Sequence, residues 1–81
     1  MRVVFRLWAQ MRVAVGSGEV PIDLPAGARL GSALDALFAA HPELENHRRS
    51  IRAAIGTEYA TGDPVLREGD EISLIPPVQG G

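Results

Sequence analysis

The C-terminal end of the chain carries the residues whose type and order are most specific for chemistry. It reads Pro76-Pro77-Val78-Gln79-Gly80-Gly81. Two consecutive prolines remove hydrogen-bond donors from the backbone, and the two glycines leave only backbone beside a carboxylate. Six extended residues span roughly 20 Å. We therefore expect residues 76–81 to form a thin, flexible tail that delivers the Gly81 carboxylate into the active site of another protein. The alternative is that the two glycines are an ordinary frayed end.

The rest of the chain offers few groups for catalysis. It contains no cysteine and no lysine, which excludes thiolate nucleophiles, Cys-ligated metals and Schiff-base chemistry. His41 and His47 match no metal-ligand spacing, and packing at a helix end for His41 and solvent for His47 explain them better. We therefore expect no bound metal, no bound cofactor and no complete active site within the chain.

Composition and charge narrow the class of protein further. A hydrophobic fraction of 46% in 81 residues is ordinary globular usage, which predicts one folded domain. The eight basic residues are all arginines, spread from Arg2 to Arg67, and the net charge is −2, so no basic patch suggests nucleic-acid binding. The N-terminus has no sustained apolar run. We expect no membrane partner and a cytoplasmic location.

Apolar spacing predicts a first strand, a short helix and a second strand in the N-terminal third. Residues alternate from Val3 to Trp8 with the period of a strand. Ala9–Val15 then predicts one or two helical turns that end at Gly16, a residue able to adopt positive φ. A second strand follows at Val20–Leu24, and Pro21 places it at a sheet edge.

The middle of the chain predicts one main helix followed by strands. Its apolar stripe runs from about Leu30 to Ala40 and comprises Leu30, Leu34, Leu37, Phe38 and His41. Pro42 ends the helix, and residues 43–50 read as a polar, irregular stretch. Strands are predicted at Ile51–Ile55 and Glu71–Ile75, with a possible short strand at Tyr59–Thr61 between them.

This ββαββ order predicts an α+β domain over residues 1–75, with the helix across one face of a mixed sheet and the first and last strands together at its centre. The expected core face of the sheet holds Val3, Phe5, Leu7, Ile51, Ala53, Ile55, Ile72 and Leu74. The expected outer face holds Val4, Arg6, Trp8, Ala54, Ser73 and Ile75. That outer set is more apolar than a solvent-facing one, so we expect Trp8 and Ile75 to contact a partner.

Two long segments resemble a known family. The run from Gly69 to Gly81, Gly-Asp-Glu-Ile-Ser-Leu-Ile-Pro-Pro-Val-Gln-Gly-Gly, is similar to the C-terminal signature of molybdopterin synthase small subunits. The segments from Val3 to Gly16 and from Val20 to Pro25, with the helix at Leu30, resemble the same MoaD/ThiS sulfur-carrier family. Related thiamine-pathway carriers usually lack the helix at Ala9–Val15, which favours the molybdopterin branch. Gly56 departs from the pattern, because these subunits often have asparagine there.

The resemblance implies a β-grasp, ubiquitin-like fold and a cycle of sulfur transfer. A MoeB-type adenylating enzyme would use ATP to adenylate Gly81, and sulfur from a persulfide donor would displace AMP to leave a thiocarboxylate. A MoaE-type large subunit of molybdopterin synthase, in a heterotetramer of two small and two large subunits, would then use that sulfur on the cyclic pyranopterin precursor. Gly80 and Gly81 would carry the chemistry. The expected partner-binding residues are Arg6, Trp8, Ile75, Pro76, Pro77 and Val78.

Other functions remain open from the sequence. The same tail would serve thiamine synthesis, tRNA thiolation or protein conjugation equally well. A ubiquitin-like module that binds partners noncovalently, without using its terminus, is a second class of function. An independent enzyme is the weakest alternative, because no nucleophile, metal cluster or cofactor loop is present.

Overall fold

The computed structural model describes residues 1–76, which form five strands, two α-helices and one 3₁₀ helix. In chain order the elements are β1 (Arg2–Leu7), α1 (Ala9–Val15), β2 (Glu19–Asp23), α2 (Leu30–Ala40), the 3₁₀ helix (Pro42–His47), β3 (Arg52–Ile55), β4 (Glu58–Tyr59) and β5 (Glu71–Ile75). Pro77, Val78, Gly80 and Gly81, all predicted site residues, lie outside the described residues, and so does most of the predicted tail.

The strands form one mixed sheet in the order β2-β1-β5-β3-β4. The predicted central pair is confirmed, because β1 and β5 lie side by side and run parallel, with Leu7 opposite Leu74. The edge position of β2 is also confirmed, and Pro21 is tolerated there because an edge strand has one side without a partner. β4 begins one residue earlier than predicted and pairs only through two residues. The order of the strands around the main helix, α2, is therefore ββαβββ.

Helix α1 has the predicted bounds and the predicted end. Gly16 has φ 83°, and its N–H donates to the carbonyl of Arg12. The prediction that Trp8 belongs to the first strand is wrong, because β1 ends at Leu7 and Trp8 is the extended residue that precedes α1. Ala9, which follows it, has φ 51° and allows this abrupt change from strand to helix.

Helix α2 also has the predicted bounds, but its first turn is capped from a distant loop. Arg29, which precedes the helix, makes no capping hydrogen bond with its side chain. The N–H of Gly31 instead donates to Asp63 Oδ1 at 2.7 Å, and the N–H of Leu30 donates to the carbonyl of Pro64. No local pattern places Asp63 at a helix, because Gly62-Asp63-Pro64 is a sequence typical of a turn. The side chain of Asp63 therefore accepts a helix N-terminal hydrogen bond that a residue next to the helix usually accepts.

One hydrophobic core lies between the sheet and α2. Its helical contributors are Leu30, Ala33, Leu37 and Phe38, whereas Leu34 is only half-buried. Leu34, a member of the predicted stripe, packs against this core, and Ala33, which the stripe did not include, is fully buried in it.

The prediction of an irregular polar stretch at 43–50 was also wrong. Pro42–His47 forms the 3₁₀ helix, and Leu44 within it is fully buried in the core. Leu44 is the single apolar residue in this polar segment, so no hydrophobic periodicity indicated that it would be buried. His41 is half-buried at the end of α2, as predicted, with its Nδ1 atom 3.4 Å from Glu43 Oε2.

The departure at Gly56 has a conformational reason. Gly56 connects β3 to β4 and has φ 63°. Asparagine is among the residues that adopt this left-handed conformation most readily after glycine. Glycine here is thus compatible with the same turn.

Two absences hold for residues 1–76. No helix in this part of the chain has both the length and the apolar composition needed to cross a bilayer. The same residues contain no cluster of three or more histidine or carboxylate side chains arranged to hold a metal ion.

Candidate functional site: the end of the sheet where the tail leaves

The parallel pairing of β1 with β5 decides which residues surround the start of the tail. Parallel strands bring their carboxyl ends to the same end of a sheet. Because Leu7 lies opposite Leu74, Trp8 and Ile75 are each one residue beyond that pair. Pro76 follows directly and is half-buried. The structure thus brings together three of the predicted partner-binding residues, Trp8, Ile75 and Pro76, at what we call the tail-exit end.

Arg6, a fourth predicted contact residue, is already paired within the domain. It lies opposite Ser73 on the outer face of the sheet. Its Nη1 atom is 2.8 Å from Glu71 Oε1 and 3.5 Å from Glu19 Oε1. These two carboxylates compensate its charge and link β1 to β5 and β2. A partner could still contact the half-exposed Arg6 side chain, but it would not meet an uncompensated cation.

The outer face as a whole is more polar than the sequence indicated. Arg2 and Asp23 form an ion pair with Nε 2.9 Å from Oδ1. The hydrogen bond between them raises the pKa of Arg2 and lowers the pKa of Asp23. The guanidinium of Arg52 lies 4.4 Å from the centre of the Tyr59 ring, a cation–π contact.

The outer face nevertheless keeps some apolar surface near the tail. Ala54 is buried on this face, outside the main core, and Ile75 is half-buried opposite Arg52. Trp8, at the end of β1, is 45% exposed. Trp8 and Ile75 therefore keep apolar surface at the tail-exit end, and their contact with a partner stays a prediction.

A shallow cavity of about 330 Å³ lies beside Trp8, between the ends of β1 and β2 and helix α1. Its lining combines apolar, cationic and hydroxyl groups from Arg6, Leu7, Trp8, Arg12, Ser17, Gly18 and Glu19. Sequence analysis missed Arg12, Ser17 and Glu19. No local pattern pointed to them, because the β1–β2 pairing is what brings residues 17–19 next to α1.

The polar and charged side chains of the described residues all lie at the surface or are half-buried. Within residues 1–76 no polar or charged residue is buried, and no buried side-chain nitrogen or oxygen lacks a hydrogen-bond partner. Active sites usually contain titratable groups in shielded, perturbed environments.

Comparisons with known proteins identify relatives with this fold. The model of the ThiS family matches residues 5–81. A molybdopterin synthase sulfur carrier subunit from Arabidopsis thaliana is 32% identical over 75 residues, which are 93% of this chain and 78% of that protein. Small archaeal modifier protein 1 from Haloferax volcanii is 35% identical in an alignment 92 positions long. The alignment covers 95% of this chain and 98% of that protein.

Solved structures agree with this relationship. The crystal structure of the Haloferax volcanii modifier superposes with a TM-score of 0.87 at 33% identity, over 100% of both chains. A chain in the complex of subunits 1 and 2 of molybdopterin-converting factor from Helicobacter pylori superposes with a TM-score of 0.74 at 23% identity, again over 100% of both chains. That second likeness shows the fold. The predicted β-grasp fold is thus confirmed, and because the family model covers nearly the whole chain, the chain belongs to the ThiS family.

Proposed function

We propose that the chain is a sulfur carrier for molybdenum cofactor biosynthesis and acts as the small subunit of molybdopterin synthase. The observation that carries this proposal is the family match, which extends through Gly81, together with relatives named as molybdopterin synthase sulfur carrier subunits. The geometry of the tail-exit end supports it, because the last strand of the domain is a central one and its end lies beside an exposed tryptophan.

The first step of the cycle activates the terminal carboxylate. A MoeB-type enzyme would bind ATP, and the Gly81 carboxylate oxygen would attack the α-phosphorus. A carboxyl–phosphate bond forms and pyrophosphate leaves, which converts an unreactive carboxylate into an acyl adenylate. The chain itself binds no ATP in this scheme; its contribution is to place the carboxylate within reach.

The second step introduces sulfur. A persulfide on a donor protein attacks the acyl carbon, and AMP leaves with the bonding electron pair, giving an acyl disulfide. A thiol then reduces this disulfide, which releases the terminal thiocarboxylate and forms a disulfide on the donor side. The persulfide must belong to another protein, since this chain contains no cysteine.

The domain lacks the side chains that would most readily attack its own activated terminus. An acyl adenylate reacts readily with amines and thiols, and an intramolecular reaction gains a large effective concentration. With no lysine and no cysteine side chain, the carrier has neither nucleophile on its side chains. The activated end therefore cannot acylate an amine or thiol side chain of its own carrier.

The third step transfers sulfur in the MoaE-type large subunit. Two carriers would supply the two sulfurs of the dithiolene, in a heterotetramer of two small and two large subunits. Both the adenylating enzyme and the large subunit need the tail, and both would approach the tail-exit end at Trp8, Ile75 and Pro76. The two complexes are therefore mutually exclusive. We expect the cycle to operate in the cytoplasm.

The decisive experiment changes the length and width of the tail. Deleting Gly81 retracts the carboxylate by about 3.5 Å, far more than the roughly 1 Å tolerance of positioned reactants. Gly80→Val adds a branched side chain beside the reacting group. Both variants should lose ATP–pyrophosphate exchange with the adenylating enzyme, and intact-mass measurements should show no replacement of oxygen by sulfur. Melting temperatures should match the parent.

The parent chain is the positive control of the same experiment. Its thiocarboxylate form, mixed with the large subunit and the cyclic pyranopterin precursor, should yield molybdopterin. Thiocarboxylate formation by the Gly81 deletion would refute the dependence on tail length, whereas a parent chain that gains no sulfur would refute the carrier mechanism and favour a noncovalent binding module. A parent that gains sulfur but yields no molybdopterin would point to thiamine synthesis or tRNA thiolation instead.

Protein modification is a second candidate function. The 35% identity and the TM-score of 0.87 to small archaeal modifier protein 1 favour it. It would use the same adenylated Gly81 but transfer it to a lysine of a target protein. Affinity-tagged chain recovered under denaturing conditions should then carry covalently attached proteins, and the Gly81 deletion should carry none. Because the chain has no lysine, it would not form chains of itself through lysine side chains.

A further inference from the structure

We propose that Trp8, Arg12 and Val13 form a second contact surface, which binds an acidic segment with an apolar side chain on the large synthase subunit. We call these three residues the α1 surface. This inference rests on the proposed function and adds to it the chemistry of the partner surface beside the tail-exit end.

The first observation is apolar exposure on a firmly held helix. Val13 is 80% exposed and is the most exposed of the large hydrophobic residues in the described part of the chain. The helix that carries it is not loosely attached. Met11 is buried in the core, Gly16 closes the last turn, and α1 packs against the 3₁₀ helix. Val13 thus extends into solvent from a rigid element, which is typical of an interface.

The second observation is an uncompensated cation beside that apolar surface. Arg2, Arg6 and Arg48 each form an ion pair with a carboxylate. Arg12 forms none with any residue from 1 to 76. Its side chain lies along the backbone of Gly18, where a Cβ atom would be 3.5 Å from Arg12 Nε. The exposed guanidinium therefore has no carboxylate within residues 1–76 to neutralise it, and it can bind a carboxylate of a partner.

The cavity beside Trp8 shows where a partner carboxylate would enter. Trp8 and Arg12 both line this cavity. Glu19 lines it too, but Glu19 lies 3.5 Å from the Nη1 atom of Arg6. The local carboxylate is thus engaged by Arg6, and Arg12 is left for an external one. An arginine next to an exposed tryptophan is also the combination most enriched among residues that dominate binding energy.

The position of the α1 surface matches a partner that also receives the tail. The cavity is bordered by the end of β1, and β5 lies one strand away, about 5 Å. A stable protein interface buries roughly 800 Å² per partner. Much of the neighbouring outer sheet face is occupied by the domain's own ion pairs, so the additional area would come from α1. A permanent subunit needs that area more than a transient activating enzyme does, and we therefore assign the large subunit.

The test measures binding of the full chain to the purified large subunit by calorimetry. Arg12→Glu should weaken binding by about tenfold or more, because it places like charges together. Val13→Ser should weaken it by several-fold. Arg67→Glu is the matched control, since Arg67 is exposed, lies at the opposite end of the sheet and also has no ion pair within residues 1–76. It makes the same change in net charge and should bind like the parent.

Each outcome separates this inference from the proposed function. If the parent binds the large subunit and Arg12→Glu binds equally well, the α1 surface is wrong and the carrier function stands. If Arg12→Glu loses affinity only for the adenylating enzyme, the assignment to the large subunit is overturned. If the parent does not bind and yields no molybdopterin, the proposed function itself fails. Should Arg12→Glu unfold in circular dichroism, Arg12→Gln replaces it, with weaker binding and a reduced salt dependence expected.

Discussion

Replacing Asp63 with alanine should destabilise the domain through α2, a helix to which Asp63 does not belong. Helix α2 begins without a side-chain cap from its own preceding residue, Arg29. Asp63 Oδ1 accepts the N–H of Gly31 at 2.7 Å, across 32 positions of the chain. In Asp63→Ala this donor would lose its partner, while the hydrogen bond from the Leu30 N–H to the carbonyl of Pro64 would still join the start of α2 to this loop.

The expected loss follows from two contributions. Removing a cap costs about 0.5–2 kcal/mol. Removing a negative charge from the positive end of a helix costs about 0.3–1 kcal/mol more, reduced by the exposure of Asp63 to solvent. We expect about 1–2 kcal/mol in total. In a domain of this size each kcal/mol lowers the melting temperature by roughly 4–8 °C, so Asp63→Ala should melt roughly 5–15 °C below the parent.

Thermal and urea unfolding followed by circular dichroism would measure this loss. Asp63→Asn keeps an acceptor oxygen but not the charge and should lose only about 0.3–1 kcal/mol. Asp35→Ala is the control, because Asp35 lies on α2 itself, is exposed and pairs only with Arg48 on the surface. Such pairs contribute little. If Asp63→Ala loses no more stability than Asp35→Ala, long-range capping of α2 is refuted.

A double-mutant cycle would isolate the contact itself. A Cβ atom on Gly31 would lie 3.2 Å from Asp63 Oδ1, so the carboxylate would have to shift to admit it. Alanine otherwise favours a helix over glycine by about 1 kcal/mol. Gly31→Ala should therefore stabilise the Asp63→Ala variant more than it stabilises the parent. Equal effects in both backgrounds would mean that the two residues are not coupled.

Three further predictions concern the core and the outer face. Leu44→Ala should lower the free energy of unfolding by about 2–5 kcal/mol, because its side chain is fully buried in the 3₁₀ helix; a urea midpoint equal to the parent's would contradict this. Leu37→Ala should cost a similar amount and Leu34→Ala clearly less, because only Leu37 is fully buried; equal losses in the same titrations would mean that the assigned helix face is wrong. Arg2 holds the pKa of Asp23 below its usual value of 3.8, so the Asp23 carboxylate stabilises the fold above that value, and the contribution is lost as the pH falls through the lowered pKa. Asp23→Asn should therefore flatten the fall in melting temperature below about pH 4, and an unchanged acid limb would argue against this pair.

Local patterns determined the elements that have strong periodicity and clear end signals. Helix α2 has its predicted bounds because an apolar stripe with helical spacing ends at Pro42, and both signals act within a few residues. Helix α1 ends as predicted because Gly16 adopts positive φ without steric cost. The central pairing of β1 and β5 was predicted because the ββαββ order packs best as one helix across a single sheet.

Only the tertiary structure decided the features that depend on contacts between distant residues. The cap of α2 by Asp63 left no local sign, because its donor and acceptor lie 32 positions apart. Leu44 stands alone in a polar segment, so its burial depends on the surfaces of α1 and α2 that enclose it. Ala33 is fully buried although the predicted stripe did not include it, because the orientation of a helix is set by what packs against it.

The candidate site divides in the same way. The chemistry expected of Gly80-Gly81 and the prolines before it follows from residue type alone, since a backbone without side chains beside a carboxylate is a property of the sequence. The residues that surround the start of the tail cannot be predicted from residue type. The register between β1 and β5 brings Trp8 beside Ile75, and the β1–β2 pairing brings Glu19 to Arg6 and leaves Arg12 without a carboxylate partner among residues 1–76. Strand pairing joins residues far apart in the chain, so the charges and surfaces that a partner meets are fixed only when the sheet forms.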